Sequence, residues 1–153
     1  MSSIVVYYSH SGNTRCLAQT VAERTGSRLI EIEPETDYPS AYNDVVRQAK
    51  KELKAGYRPQ LKTAEPDLSG VDTIYVGTPN WWSSPAPPVS AFLENAELSG
   101  KTVVPFCTHG GGGVGHIERD LKKSCRSASV RPVKPFYGRI YSQDEIDGWL
   151  GNA

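Results

Sequence analysis

The chain has 153 residues, 38% of them hydrophobic, and its 17 basic side chains balance 17 acidic ones. This length predicts one domain, residues 1–153, which is long enough to bury a hydrophobic core. The zero net charge excludes a strong electrostatic field that would attract nucleic acid or an anionic membrane. The three cysteines include no Cys-x-x-Cys pair, so neither a disulfide framework nor a metal site is expected. The first residues match neither a signal peptide nor a membrane span, and we therefore expect a cytoplasmic protein.

Strand and helix patterns alternate along the chain, which is typical of an α/β protein with a parallel sheet and helices on both faces. Apolar runs predict strands at 4–8, 29–32, 71–77 and 102–107. The segment 130–137 contains two prolines, so it predicts a fifth strand that is short or irregular and lies at an edge.

Helices are predicted between these strands from their apolar spacing and their end signals. The first covers 13–25, the second carries apolar positions from 42 to 53, and the third covers 85–94. A fourth helix is marked by Ile117, Leu121 and Cys125, and a last one begins after Ser142. We expect Ile146, Trp149 and Leu150 of that last helix to pack back on the sheet.

The first predicted strand runs directly into a turn of small polar residues that opens the first helix. Its hydroxyl groups can donate hydrogen bonds, its glycine permits a tight bend, and the free N–H groups of the first helical turn point towards any anion placed there. This pattern predicts a phosphate site, with plain helix capping as the alternative. The turn consists of Ser9, His10, Ser11, Gly12, Asn13 and Thr14.

Two further loops follow the third and fourth strands, at the sheet end where open α/β sheets bind ligands. The first loop has adjacent tryptophans, for which ligand stacking and a core or interface role are equally plausible. The second has four consecutive glycines, which cost backbone entropy and are expected where the chain approaches something closely. The candidate residues are Thr78, Pro79, Asn80, Trp81 and Trp82, followed by Thr108, His109, Gly110, Gly111 and Gly112.

Other phosphate-binding folds fit these residues poorly. Gly110, Gly112 and Gly115 form a Gly-x-Gly-x-x-Gly pattern, but a dinucleotide fold needs an acidic residue about 20 positions later, where the sequence reads VRPVKP. No Gly-Lys-Ser/Thr motif is present, and Cys16 lies too late for a phosphatase loop.

The three loops together resemble the FMN-binding loops of flavodoxin-like proteins, and the resemblance covers the whole chain. It implies a doubly wound, five-stranded parallel sheet of strand order 2-1-3-4-5, with helices on both faces and one noncovalently bound FMN. By this resemblance, the turn at 9–14 would wrap the phosphate, residues 79–82 would line the flavin ring, and 108–111 would close the site. Thr78 and Gly112, which flank these segments, are also predicted to bind the cofactor.

The second and third loops resemble those of FMN-dependent NAD(P)H:quinone reductases more than those of electron carriers. The first hypothesis is therefore an oxidoreductase that passes electrons or hydride from NAD(P)H to a quinone-like small molecule. The alternative is a flavodoxin carrier that shuttles single electrons between redox protein partners, which the short chain favours. A flavodoxin-like scaffold without flavin is a third class, and an oligomer is possible in each.

Two histidines lie within these loops. His109 is a candidate catalytic residue, because a histidine side chain can donate or accept a proton near neutral pH; the alternative is that it only satisfies a loop carbonyl. His10 departs from the family pattern; we expect it to face solvent, with a partial positive charge near the phosphate as the alternative.

Overall fold

In the computed structural model, which describes residues 2–152, strands and helices alternate as predicted. The strands are β1 (Ser2–Tyr7), β2 (Arg28–Glu31), β3 (Val71–Trp81), β4 (Ser84–Pro85), β5 (Thr102–His109), β6 (Ser129–Val130) and β7 (Lys134–Tyr137). The helices are α1 (Asn13–Thr25), α2 (Tyr42–Ala55), α3 (Pro87–Asn95), α4 (Ile117–Ser124) and α5 (Gln143–Asn152). Between residues 2 and 152, no helix has both the length and the apolar character needed to cross a membrane.

Apart from β4, which pairs antiparallel with β3, the strands form one parallel sheet in the order β2-β1-β3-β5, with β6 and β7 both pairing with β5 at the far edge. In the predicted numbering, which counts parallel strands only, β5 is strand 4, and β6 and β7 together form strand 5. The predicted order 2-1-3-4-5 is therefore confirmed. The predicted irregularity of the last strand is confirmed as well. Pro135 has no N–H to donate, and it lies in β7 at this edge, where a sheet tolerates proline.

Helices cover both faces of the sheet, and each face has its own core. Side chains alternate along β1, so that Ile4 and Val6 belong to the core beneath α3 and α4, whereas Val5 belongs to the core beneath α1 and α5. Trp149 of α5 packs edge-on against Phe106, with ring centroids 5.7 Å apart. The prediction that the last helix returns to the sheet is therefore confirmed.

Two strands continue past their predicted ends at the carboxyl edge. β3 extends to Trp81 instead of ending at 77, and β5 extends to His109 instead of 107. The predicted tryptophan loop is in fact a hairpin, because β3 turns at Trp82 and Ser83 and returns as β4. Pro85 pairs with β3 in this hairpin, so the following helix begins at 87 instead of 85.

Candidate functional site

A cleft of about 470 Å³ opens at the carboxyl edge of the sheet, where all three predicted loops meet. Each loop contributes side chains or backbone to its lining, which agrees with the general position of ligand sites in open α/β sheets. The predicted residues that line it are His10, Ser11, Asn13, Pro79, Asn80, Trp81, Trp82, Thr108, His109 and Gly110.

Two segments that were not predicted from the sequence also line the cleft. One is the N-terminal part of α2, where Tyr42 leaves 78% of its surface exposed, and the other is the end of β7 with the residue after it. All parallel strands end at the same edge, so the residues after the fifth strand could have been inferred from the topology. The additional lining residues are Tyr42, Val45, Val46, Ala49, Tyr137 and Gly138.

Several predicted residues lie beside or beneath the cleft and do not line it. Thr14 is only 1% exposed, and its hydroxyl is 2.8 Å from that of Thr108. The buried Thr78 hydroxyl accepts from the Ala86 N–H group at 3.0 Å and donates to the Pro79 carbonyl at 2.9 Å. These hydroxyls hold the loops in place, contrary to the expectation that they face a ligand. The predicted residues outside the lining are Ser9, Gly12, Thr14, Thr78, Gly111 and Gly112.

The turn before α1 leaves the start of this helix open to an anion. Gly12 adopts a left-handed conformation with a φ of 95°, and Ser9 Oγ accepts its N–H group at 3.0 Å. α1 has neither a side-chain cap nor an acidic residue in its first turn. The positive end of the helix dipole and its free N–H groups are therefore available at this edge, beside the exposed Ser11.

His10 is part of the wall of the cleft. Its Nε2 atom lies 2.7 Å from the Pro39 carbonyl, which can only accept, so Nε2 carries the proton. Its ring also meets Trp81 edge-on, at 6.1 Å between centroids. The prediction that His10 faces solvent is wrong, because this carbonyl and this indole hold the ring against the protein.

Trp81 belongs to an aromatic cluster that extends from the cleft into the core. Its ring packs edge-on against Tyr8 and Tyr38, with centroid distances of 5.5 and 4.9 Å. Burial raises the pKa of both phenols, and the hydrogen bond that Tyr38 donates to Glu52 raises its pKa further. Both tyrosines therefore stay neutral, and this wall of the cleft stays uncharged.

Trp82 spans the gap between the hairpin and α2. Its indole N–H donates to the Val46 carbonyl at 2.9 Å, and the Lys50 ammonium lies 5.1 Å from the ring centroid. Nearly half of the side chain, 49%, remains exposed. Trp82 and Ser83 both have a positive φ, 53° and 67°, a conformation that costs free energy for residues other than glycine.

The glycine-rich loop packs against this hairpin. The Asn80 amide donates to the Gly113 carbonyl at 2.7 Å and accepts the Ser83 N–H group at 2.8 Å. A Cβ atom on Gly115 would lie 2.4 Å from Ser83 Cβ. Close approach within the chain therefore explains Gly115, which follows the run of four glycines, without any ligand.

His109 has a defined tautomer at the edge of the cleft. Its Nδ1 atom accepts the Gly111 N–H group at 3.0 Å, so the neutral ring carries its proton on Nε2. The ring also packs edge-on against Tyr137, with centroids 5.4 Å apart. The partner of Nδ1 is thus a loop N–H group, whereas the alternative interpretation named a loop carbonyl.

The sequence and the structure were compared with known proteins. A family model described as flavodoxin matches residues 2–153, whereas no curated protein matches the chain. Among solved structures, a putative flavoprotein from Bacteroides uniformis is 28% identical, with 98% of this chain and 97% of that chain covered and a TM-score of 0.88. A putative flavoprotein from Bacteroides eggerthii is also 28% identical, with coverage of 99% and 96% and a TM-score of 0.86.

A third solved structure is a flavoprotein from Lactobacillus acidophilus in complex with FMN. It is 21% identical to this chain, with 97% of this chain and 98% of that chain covered and a TM-score of 0.77. At that identity the likeness is one of fold.

Proposed function

Because this chain belongs to the flavodoxin family, as the resemblance of its loops predicted, we propose that it binds one FMN noncovalently in the 470 Å³ cleft. The observation that carries the proposal is the meeting of the open start of α1, the paired tryptophans and the 108–110 segment at one edge of the sheet. The volume lies within the range of about 300 to 1,000 Å³ that is usual for cofactor sites.

The residues of the cleft fit the chemical parts of FMN. Ser11 and the N–H groups at the start of α1 suit the phosphate, since a helix N-terminus binds anions without a lysine. The indoles of Trp81 and Trp82 offer apolar surface to the isoalloxazine. The backbone from Thr108 to Gly110 offers polar groups to the pyrimidine edge.

When bound, FMN supplies the electron or hydride transfer, and the chain supplies position and protons. Asn80 joins the hairpin to the glycine-rich loop, so that these two walls of the cleft keep a fixed position relative to each other. His109 presents an Nε2–H group while Nδ1 is occupied by Gly111. It can donate a hydrogen bond without first acquiring a charge. Proton transfer to an acceptor is our proposed catalytic role for His109; it needs the imidazolium form, with a second proton taken from solvent at Nδ1 in place of the Gly111 contact, so that loss of the Nε2 proton leaves a neutral ring.

Of the two redox functions, we propose an oxidoreductase that takes electrons from NAD(P)H and passes them to a quinone-like acceptor. The aromatic cleft supports this function, because the half-exposed rings of Trp82 and Tyr137 in its lining offer surfaces on which a planar acceptor can stack. The electron carrier is the second candidate. Its support is the exposed rim formed by Tyr42, Trp82 and Tyr137, which a redox protein could contact.

The cofactor is tested on the purified protein. Acid releases a noncovalent flavin, and mass spectrometry identifies it; we expect FMN, either as purified or after incubation with excess FMN. Recovery of FAD, or the absence of flavin after that incubation, would contradict the proposal.

Stopped-flow spectra of the holoprotein with NADH and then NADPH separate the two redox functions. An oxidoreductase loses flavin absorbance within seconds and then turns over with a soluble quinone. In that case His109→Ala lowers turnover and leaves FMN bound. If neither donor bleaches the flavin and reduction needs a separate reductase, the carrier function replaces the enzyme.

A further inference from the structure

An arginine that follows β7 reaches across the edge of the cleft to the start of α1. The turn that carries it is anchored, because the Gly138 N–H group donates to the His109 carbonyl at 2.8 Å and the Ile140 N–H group donates to the Tyr137 carbonyl at 2.7 Å. Gly138 has a φ of 52°, which permits the tight bend after the strand. Arg139 therefore projects from a fixed turn that also touches the third loop.

The Arg139 guanidinium lies directly against the Gly12-Asn13 peptide. Its Nε–H group donates to Asn13 Oδ1 at 2.9 Å. Its Nη2 atom is 2.9 Å from the position that a Cβ atom on Gly12 would occupy. The absence of a side chain at Gly12 thus makes room for this guanidinium.

The charge of Arg139 is not compensated by a carboxylate. The other arginine near this turn, Arg15, pairs with Glu31 at 2.5 Å, whereas Arg139 has no ion-pair partner among residues 2–152. The first turn of α1 has no acidic residue. An exposed guanidinium and the positive end of a helix dipole therefore meet at one place.

We propose that Arg139 binds the phosphate group of FMN, which makes it a cofactor-binding residue contributed by the segment after β7. This inference rests on the proposed FMN function and adds a cation to a site otherwise made of hydroxyl and backbone groups. Its Nε–H group is held by Asn13, so the two terminal nitrogens remain to donate to phosphate oxygens.

The test compares the affinity of the apoprotein for FMN with its affinity for riboflavin, which has no phosphate, by flavin fluorescence. Arg139→Gln is expected to weaken FMN binding about tenfold and to change riboflavin binding less than about twofold, since a hydrogen bond to a charged group is lost. Arg131→Gln is the matched control, because Arg131 is also exposed and follows β6 at the same border of the sheet, but within residues 2–152 its side chain makes no hydrogen bond to the turn before α1. It should leave both affinities unchanged.

Two further measurements sharpen this test. Arg139→Lys should keep part of the FMN affinity, because lysine retains the positive charge. The rest should be lost, because the ammonium group cannot donate two parallel hydrogen bonds as a guanidinium does. The FMN affinity of the unaltered protein should fall more steeply with salt than that of Arg139→Gln. Equal FMN affinities in Arg139→Gln and the unaltered protein, or equal losses for FMN and riboflavin, would overturn the inference and leave the proposed function standing. If the unaltered protein binds neither flavin, the proposed function itself fails.

Discussion

Thr14 and Thr108 show how a residue that sequence reasoning assigned to a ligand acts within the fold. The Thr14 hydroxyl was expected to bind the phosphate, but Thr14 and Thr108 are both buried and their hydroxyls are 2.8 Å from each other. Because their positions are 94 residues apart in the chain, this bond ties the phosphate turn to the end of β5. A sequence pattern cannot distinguish a hydroxyl that binds a ligand from one that joins two loops beneath it.

We predict that Thr14→Val lowers the free energy of unfolding by about 1 to 3 kcal/mol, because it leaves the buried Thr108 hydroxyl without a partner. Thr108→Val should cost a similar amount. The double variant should cost less than the sum of the two, since no hydroxyl is then left unpaired. Urea unfolding of the four proteins measures this coupling, and strictly additive costs would contradict the assigned bond.

Ser11 is the exposed hydroxyl of the phosphate turn that lines the cleft. We predict that Ser11→Ala weakens FMN binding by about 1.5 to 3 kcal/mol, the value of a hydrogen bond to a charged group. Riboflavin binding and protein stability should change by less than about 0.5 kcal/mol, as is usual for a surface substitution. Ser99→Ala, an exposed serine just before β5, is the control. A loss of equal size for both flavins would mean that Ser11 does not contact the phosphate.

At the scale of elements, the hairpin of β3 and β4 is the part of the site that the sequence predicted least well. Pro79 and the adjacent tryptophans indicated a loop, and the turn lacks the Asn-Gly pair that usually marks a two-residue hairpin. Contacts that are distant in sequence hold it, namely Asn80 with Gly113 and Ser83 with Gly115. Local sequence patterns carry no signal for such contacts. The tryptophan pair was therefore predicted to lie at the site, but the hairpin that carries it was not predicted.

The packing of the glycine-rich loop on this hairpin gives a matched pair of substitutions. Gly115→Ala and Gly113→Ala both place a side chain at a positive φ, 51° and 66°, which costs about 1 to 2 kcal/mol each. Only Gly115→Ala adds a clash with Ser83, because a Cβ atom on Gly113 has nothing within 4 Å. We predict that Gly115→Ala is the more destabilising by about 1 to 3 kcal/mol in urea unfolding. Equal costs would show that the hairpin moves away freely.

At the scale of the molecule, the alternation of apolar patterns predicted a parallel sheet with helices on both faces, and the resemblance of the loops implied its strand order. The same topology explains why three loops that are distant in the sequence meet in one cleft. The contributions of α2 and of the segment after β7 were missed, because only the loops after three strands were considered. Arg139 in particular stands in a stretch that has no motif of its own.

The buried thiols and phenols predict how the whole domain responds to alkali. Burial raises the pKa of Cys107 and of Cys125 to about 12 from an ordinary value of 9.0, and it also raises the pKa of Tyr8 and Tyr38. The unfolded chain releases these protons more readily, so the stability they contribute is fully present below pH 9 and is lost as the pH rises towards 12. The urea midpoint should fall between pH 8 and pH 10.5, and it should fall less in Cys107→Ala. A midpoint that stays constant over this interval would contradict the assignment.

The break between β6 and β7 also affects how copies of this chain meet one another. An uninterrupted edge strand would offer neighbouring molecules a row of free N–H and C=O groups and so invite the edge-to-edge pairing that seeds aggregation. Here Pro132 separates the two short strands, and Pro135 removes a donor within the second. At the opposite edge, β2 is only four residues long and carries charged residues at both ends. Both edges of the sheet therefore disfavour pairing with the sheet of another molecule. At the β6–β7 edge, the prolines that made the last strand hard to predict from the sequence are also what protects the chain from aggregation.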